Sequence, residues 1–455
     1  MKELIVDLFA GGGGASSGIE AAGFKVDIAI NHDPEAIALH EANHPDAKHY
    51  NCDIWEVDPK EACGFNQVKL LWASPDCKHF SKAKGGKPVE KNIRSLAWVV
   101  VDWAKKVRPK TIILENVEEF KTWGPLNKNN RPDKKRKGET FKKFIKSLRD
   151  LGYLVEWKEL RACDYGAPTI RKRLFVIATL TGTIVWPEPT HGIGKVPYKT
   201  AANIIDWSVP APSIFTRKRP LAEKTMARIA KGIERFVLNG DKRFILGIDH
   251  RGSGDNTVYS ENEPLTTITT KGRHALVSLY IAKHYTGVVG SSMKEPLSTI
   301  TTKDHNALVV AYLQRHFGKS VGSAIKEPVG TITAGGGGKT SLVSAFLTKY
   351  DGIEIGGHNL QEPIGTITTK DRFSLITVEI DGEKYFIKDI GMRMLTPKEL
   401  FKAQGFSSDY IIDIDYKGKK LTKTAQVRMC GNSVCPPIAK ALVEANISED
   451  LEMVV

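Results

Sequence analysis

Through roughly the first 190 residues, short apolar runs alternate with stretches of helical spacing. Leu4-Ile5-Val6-Asp7-Leu8-Phe9 predicts a buried strand, and after a run of glycines Ala15 to Ala22 predicts a helix. Val26-Asp27-Ile28-Ala29-Ile30 predicts the next strand, and Pro34 to Asn43 the next helix. Leu70-Leu71-Trp72-Ala73, Thr111-Ile112-Ile113-Leu114 and Leu174-Phe175-Val176-Ile177-Ala178 predict later strands. Strand, turn, helix, strand in this order implies crossover units, hence a doubly wound α/β fold around a mostly parallel sheet.

The texture changes near Pro187-Glu188-Pro189, and from about 245 to 380 the chain is rich in Thr, Gly, Val and Ile. Glu263-Pro264-Leu265-Thr266-Thr267-Ile268-Thr269 returns at Glu295 to Thr301, at Glu327 to Thr333 and at Glu362 to Thr368. The prolines Pro264, Pro296, Pro328 and Pro363 give periods of 32, 32 and 35 residues. Each copy leads through a polar tip to an apolar pair: Leu276-Val277, Leu308-Val309, Leu342-Val343 or Leu375-Ile376. Thr-Ile-Thr favours strand, so the copies predict stacked β units that bury a shared core. The tips carry Lys271 and Arg273, then Lys303, then Lys339, then Lys370 and Arg372. A constant frame with varied tips suits a reading surface; a structural array with solvated loops is the alternative. Beyond the repeats, Met392 to Gly405 reads as helical, and a final helix is expected after Gly431-Asn432-Ser433-Val434. Lys128 to Lys137, flanked by Asn, Pro and Gly, reads as a mobile loop. The expected division is a first domain of 1–190 plus 425–455, with residues 191–424 as a β-rich insertion.

The length of 455 residues permits two or three domains with a sizeable core. A net charge of +14 points to a polyanionic partner, most often nucleic acid, although basicity also aids solubility. The chain runs into a strand without a leader and holds no long apolar run, so secretion and a membrane span are not expected. Cys52, Cys63, Cys77, Cys163, Cys430 and Cys435 form neither a zinc pattern nor a disulfide framework. Reduced thiols in a cytoplasm, and no metal, fit that usage.

The candidate chemistry sits where strands end. Asp7-Leu8-Phe9-Ala10-Gly11-Gly12-Gly13-Gly14 lies between a strand and a helix. Glycines let the backbone turn sharply and approach a ligand, and Phe9 suits stacking on a nucleoside such as that of S-adenosylmethionine. Ser74-Pro75-Asp76-Cys77-Lys78-His79-Phe80-Ser81 follows the Leu70 strand, and Glu115-Asn116-Val117 follows the Thr111 strand. Asp164-Tyr165-Gly166-Ala167-Pro168-Thr169-Ile170-Arg171-Lys172-Arg173 precedes the Leu174 strand. In that order, with Met392-Arg393-Met394-Leu395-Thr396-Pro397 and Gly431-Asn432-Ser433-Val434 at the far end, these segments resemble the DNA cytosine-5 methyltransferases. The resemblance covers roughly 1–186 and 391–440. It departs from the family pattern at His32, Asp76, Lys78 and Thr169.

The resemblance implies a Rossmann-like methyltransferase fold with an inserted target-recognition domain, S-adenosylmethionine as cofactor and double-stranded DNA as partner. Cys77 would be the nucleophile, because carbon 5 of cytosine becomes reactive only after a thiolate adds to carbon 6. Glu115 would bond the exocyclic amine and neighbouring ring nitrogen, and burial at a strand end would keep its carboxyl protonated. Arg173 would contact the pyrimidine carbonyl, with Arg171 supporting. Phe9, Gly11, Gly14, Asp53, Ile54, Pro75, Asn432 and Val434 would line the cofactor, with His32 or Asp33 at the ribose. Lys82, Lys84 and Lys87, around Gly85-Gly86, would close over DNA phosphates once a base leaves the stack. The enzyme is expected to act as a monomer; neither the target sequence nor a cognate restriction enzyme can be read from the chain. An RNA cytosine methyltransferase, an amino-methylating DNA enzyme and a catalytically degenerate DNA-binding protein are the alternatives.

Overall fold

The computed structural model describes residues 2–76, 96–128, 132–200 and 383–447, with shorter pieces between 203 and 380. Cys77, Lys82, Lys84, Lys87, Lys271, Arg273, Lys303, Lys339, Lys370, Arg372 and all four Glu-Pro repeat heads lie outside the described residues.

The first half builds a seven-stranded sheet from β1 (Glu3–Leu8), β2 (Ile28–Ile30), β3 (Lys48–Tyr50), β4 (Gln67–Ala73), β5 (Thr111–Asn116), β6 (Leu154–Arg161) and β7 (Lys172–Thr179). Their order across the sheet is β3-β2-β1-β4-β5-β7-β6. The first five run parallel, and β7 runs against both β5 and β6. The mostly parallel α/β reading therefore holds, with one reversed strand.

Alternation along β1 sends Leu4, Val6 and Leu8 to one face and Ile5 to the other, and both faces are covered. One face packs under α4 (Trp98–Val107) and α5 (Glu139–Asp150), around Trp103, Phe120 and Phe144. On the other face, α1 (Gly14–Ala21) and α8 (Pro436–Asn446) pack together over Trp72, Ile113 and Phe175. The last helix thus closes the layer begun by the first. Fully burying each of these aromatic side chains is worth about 1.5–3 kcal/mol. α2 (Pro34–Asn43) starts at Pro34 behind the cap Asp33, and α3 (Pro59–Cys63) starts the same way behind Asp58.

Two expectations need correction. Met392 to Met394 are not helical; they end β14 (Glu383–Met394), and α6 (Pro397–Gln404) starts only afterwards. Pro397 at the first helical position and a reciprocal Thr396–Glu399 capping box fix that start, while Met392 and Met394 pair with Val343 and Ser341. The second concerns the basic loop. Its residues from 132 onward are pinned: Asp133 N–H donates to Pro125 O, and Arg136 forms an ion pair with Glu139. A side chain at Gly124 would meet Arg136 O at 2.2 Å. The final helix begins at Pro436 as expected, preceded by α7 (Lys423–Asn432).

The repeats form a second, five-stranded antiparallel sheet ordered β10-β11-β12-β14-β13. β10 (Tyr280–Lys283) follows the apolar pair of copy one, β11 (Asn306–Arg315) and β12 (Thr340–Lys349) contain the pairs of copies two and three, and the three strands lie side by side. β13 (Thr377–Ile380) of copy four is separated from them by β14. Because Val309 pairs with Phe346 and Tyr312 with Val343, neighbouring copies are related by strand reversal, not by simple stacking. Two small pairs complete the strands: β8 (Phe244–Leu246) with β9 (Val258–Ser260), and β15 (Asp415–Tyr416) with β16 (Lys419–Lys420).

Candidate active site

Register brings the motifs to one edge. Leu8 pairs with Ile30 and with Ala73, and Ala73 pairs with Leu114. Phe9, Asn31, Ser74-Pro75 and Glu115-Asn116 therefore all stand at the carboxyl ends of parallel strands, where open α/β sheets bind ligands. The reversed β7 explains why residues that start a strand join residues that end one. Asn116 pairs with Leu174, so Arg173 falls beside the end of β5.

Glu115 is 7% exposed, and its Oε1 lies 3.1 Å from Nε of Arg173. The approach is not aligned as a hydrogen bond, and that oxygen has no hydrogen-bond partner among the described residues. Asn116 donates through Nδ2 to Pro75 O at 3.0 Å and accepts from Val117 N–H at 2.9 Å. The asparagine thus anchors Pro75, two residues before Cys77. Arg171 is buried and donates through Nη1 to Gly431 O at 3.0 Å, tying β7 to the end of α7. Thr169, one of the departures, accepts the Arg171 amide at 3.3 Å.

Phe9 is half-buried and adopts φ 62°, a left-handed conformation that is costly for an aromatic residue. At Gly11, φ is 55° and the side-chain direction meets nothing closer than Phe9 O at 3.7 Å. The next glycines face the chain itself. A side chain at Gly14 would meet Val434 O at 2.3 Å, and one at Gly13 would meet the Tyr410 hydroxyl at 2.5 Å. Gly14 is therefore required by packing against the closing segment, while Gly11 is open. Val434 is buried in that contact, whereas Asn432 is exposed.

The residue directly beyond β2 is Asn31, not His32. Its Oδ1 accepts from Asp33 N–H at 2.8 Å, and its backbone oxygen accepts from Asn51. His32 is exposed. Asp33 is already engaged: Oδ1 caps α2 at Glu35 N–H, 3.0 Å away, and Oδ2 pairs with Arg428. Arg428 also donates to Glu35 at 2.7 Å. Burial pushes the Asp33 carboxyl up, but the Arg428 guanidinium and the helix amides outweigh it and hold it below the usual range. Asn31 and Arg428 were missed by sequence reasoning. Asn31 could have been found as the first residue past the apolar run; Arg428, nearly four hundred residues from Asp33, carries no such signal. Asp53 is exposed and caps a short turn through Trp55 N–H at 3.1 Å, with Ile54 buried beneath.

Behind the glycine turn lies a buried polar chain. Ser16 donates to Asp7 Oδ2 at 2.8 Å and contacts His40 Nε2 at 2.9 Å, and His40 Nδ1 meets His49 Nε2 at 2.8 Å. Burial raises Asp7 to about 7 and drives His40 well below its ordinary value, with His44 and His49 adding to the latter effect. Burial likewise raises all five described cysteines. Cys435 is pushed up to about 12, against the pull of Arg171 and Arg173. Among the described residues, no cluster of His, Cys, Asp and Glu has the form of a metal site, and no helix is long and apolar enough to cross a membrane.

A glycine turn that begins beside Phe9 and a buried Glu–Arg pair stand on one edge of a Rossmann-like sheet. The chain belongs to the C-5 cytosine-specific DNA methylase family, whose sequence model matches residues 4–448. Type II methyltransferase M.NlaIV of Neisseria lactamica is 25% identical over 451 residues, 96% of this chain and 97% of that protein. Type II methyltransferase M.AgeI of Thalassovita gelatinovora is 32% identical over 197 residues, 42% of this chain and 43% of that protein, so the match spans less than half of it. A DNMT2 mutant of Spodoptera frugiperda shares the fold, with a TM-score of 0.51, 14% identity, and coverage of 98% of this chain and 100% of that one.

Proposed function

We propose that the protein transfers a methyl group to carbon 5 of cytosine within a specific double-stranded DNA sequence, acting on a base flipped out of the duplex. The observation that carries this reading is the buried Glu115 carboxyl. It sits against Arg173, with one oxygen that has no hydrogen-bond donor among the described residues, on the strand edge that also anchors Pro75. A buried carboxylate oxygen with no aligned hydrogen-bond donor has room to bond a ligand, and a cytosine amine supplies a donor.

The residues divide the chemistry between them. The Cys77 thiolate adds to carbon 6 of the ring, and a proton held by Glu115 at the ring nitrogen beside the exocyclic amine stabilises the charge that develops. Arg173 faces the pyrimidine carbonyl, and Arg171 holds β7 in place through Gly431. S-adenosylmethionine supplies the methyl group; Phe9 and the open Gly11 fit its nucleoside and methionine parts. Loss of the carbon-5 proton to a base, with elimination of the thiolate, restores the aromatic ring. In this reading 1–190 plus 425–455 form the catalytic domain, and the repeat sheet within 191–424 reads the target. Lys82, Lys84, Lys87 and the repeat-tip bases contact phosphate or base edges.

Bisulfite sequencing of plasmid DNA from cells expressing the protein tests this reading, with Cys77→Ala as control. Protected cytosines in one short context, absent from the control, are expected. An unprotected plasmid beside abundant wild-type protein would overturn it, and transfer to RNA would then be assayed.

A further inference from the structure

Tyr410 lies on the chain that returns from the repeat sheet. Its hydroxyl donates to Gly12 O at 2.6 Å, in the middle of the glycine turn. The same oxygen occupies the space a side chain at Gly13 would need, alongside Nε2 of His44, 2.7 Å from that position. His44 Nδ1 lies 2.8 Å from Glu20 Oε2, and Ser17 donates to Gly13 O at 2.7 Å. All these contacts converge on Gly12 and Gly13, while a side chain at Gly11 would meet nothing closer than 3.7 Å among the described residues.

The tyrosine is itself fixed. Its ring stacks on Phe401 of α6 at 5.8 Å and meets Phe406 at 4.6 Å. The next residue, Ile411, exchanges two hydrogen bonds with the Asn43 side chain at the end of α2. At the start of α6, the buried Arg393–Glu399 pair holds Asp206 and Val209. The segment bearing Tyr410 is thus a rigid post set against a glycine-rich loop that has few conformational restraints of its own.

We propose that Tyr410 is a positioning residue for cofactor binding, holding residues 11–14 in the binding-competent shape through its bond to Gly12 O. This rests on the reading of the turn as the S-adenosylmethionine site. Without the hydroxyl, Gly12 O loses its donor and the turn visits other shapes. Apparent affinity falls in proportion to the competent fraction.

The test is calorimetric titration of the full-length protein with S-adenosylhomocysteine, for wild type, Tyr410→Phe and Phe406→Leu. Tyr410→Phe keeps the ring and removes one hydrogen bond, so affinity should fall about tenfold. On unmethylated bacteriophage DNA, KM for S-adenosylmethionine should rise by the same factor with kcat within about twofold. Phe406→Leu loosens the ring cluster but keeps the hydroxyl, so it should lower Tm while leaving affinity near wild type. Equal affinity of wild type and Tyr410→Phe would overturn the inference, as would equal losses in both variants, which would mean packing alone. Absence of binding by the wild type would instead overturn the cofactor reading, and this inference with it.

Discussion

The two halves of the site are built differently. On the side proposed for the base, Glu115, Asn116 and Arg173 stand on the adjacent strands β5 and β7 with Arg171 just before β7, and they are fastened to one another, to Pro75 or to Gly431. On the side proposed for the cofactor, the wall is a glycine turn packed against Tyr410, His44 and Val434, Asn31 is the first residue beyond β2, and Asp33 pairs with Arg428. The difference teaches that the base side derives its geometry from sheet register, whereas the cofactor side derives it from contacts with residues some four hundred positions away.

The sharpest separation of the halves should come from Glu115→Gln. It removes the proton the ring needs while preserving shape, so kcat should fall about 10²–10⁴-fold with S-adenosylhomocysteine affinity within about twofold. A parallel loss of affinity would break the division. Gly14→Ala acts on the other half. Its new methyl would meet Val434 O, so urea unfolding should show a loss of about 2–3 kcal/mol. An unchanged midpoint would mean that α1 and the closing segment are not packed as described.

A smaller effect lies in the buried network beneath the turn. Asp7, at about 7, sits above its ordinary value of 3.8, so its contribution is fully present below about pH 4 and is lost as pH rises to 7. His40 has the opposite sign: its value is lowered, so its contribution is present above about pH 6.5 and is lost as pH falls. In wild type the two slopes oppose each other. His40→Gln removes one, and its stability should fall with rising pH between about 4.5 and 6 more steeply than wild type, by up to about 1.4 kcal/mol per unit. Parallel pH curves from urea titrations would show that the histidine is not held neutral. The mildest change should be Arg428→Ala. Its ion pairs are a third exposed, so loss of about 1 kcal/mol is expected.

The sequence made the base side legible because each of its residues sits next to an apolar run: Glu115 after Ile112-Ile113-Leu114, Arg173 before Leu174. The same runs located β1, β4, β5 and β7, although β4 starts three residues earlier, β5 runs two residues further and β7 starts two residues earlier than the runs themselves. β6 was missed because its outward positions carry Glu156, Lys158 and an exposed Trp157, which hide its alternation. Met392 and Met394 were misread because apolar spacing alone does not separate the end of a strand from the helix after it; Pro397 does. Tyr410 and Arg428 were invisible because nothing local marks a side chain that acts on the opposite end of the chain. In the repeat sheet, period and strand content were legible, but the antiparallel order was not, since a repeat fixes the unit and not the direction of its neighbours.

The most direct test of the central claim is mass spectrometry of nucleosides from unmethylated bacteriophage DNA incubated with the purified protein and methyl-deuterated S-adenosylmethionine. The account predicts trideuterated 5-methyl-2′-deoxycytidine and no other labelled nucleoside. Label on an exocyclic amine, or no label in DNA from an enzyme that binds the cofactor, would contradict it.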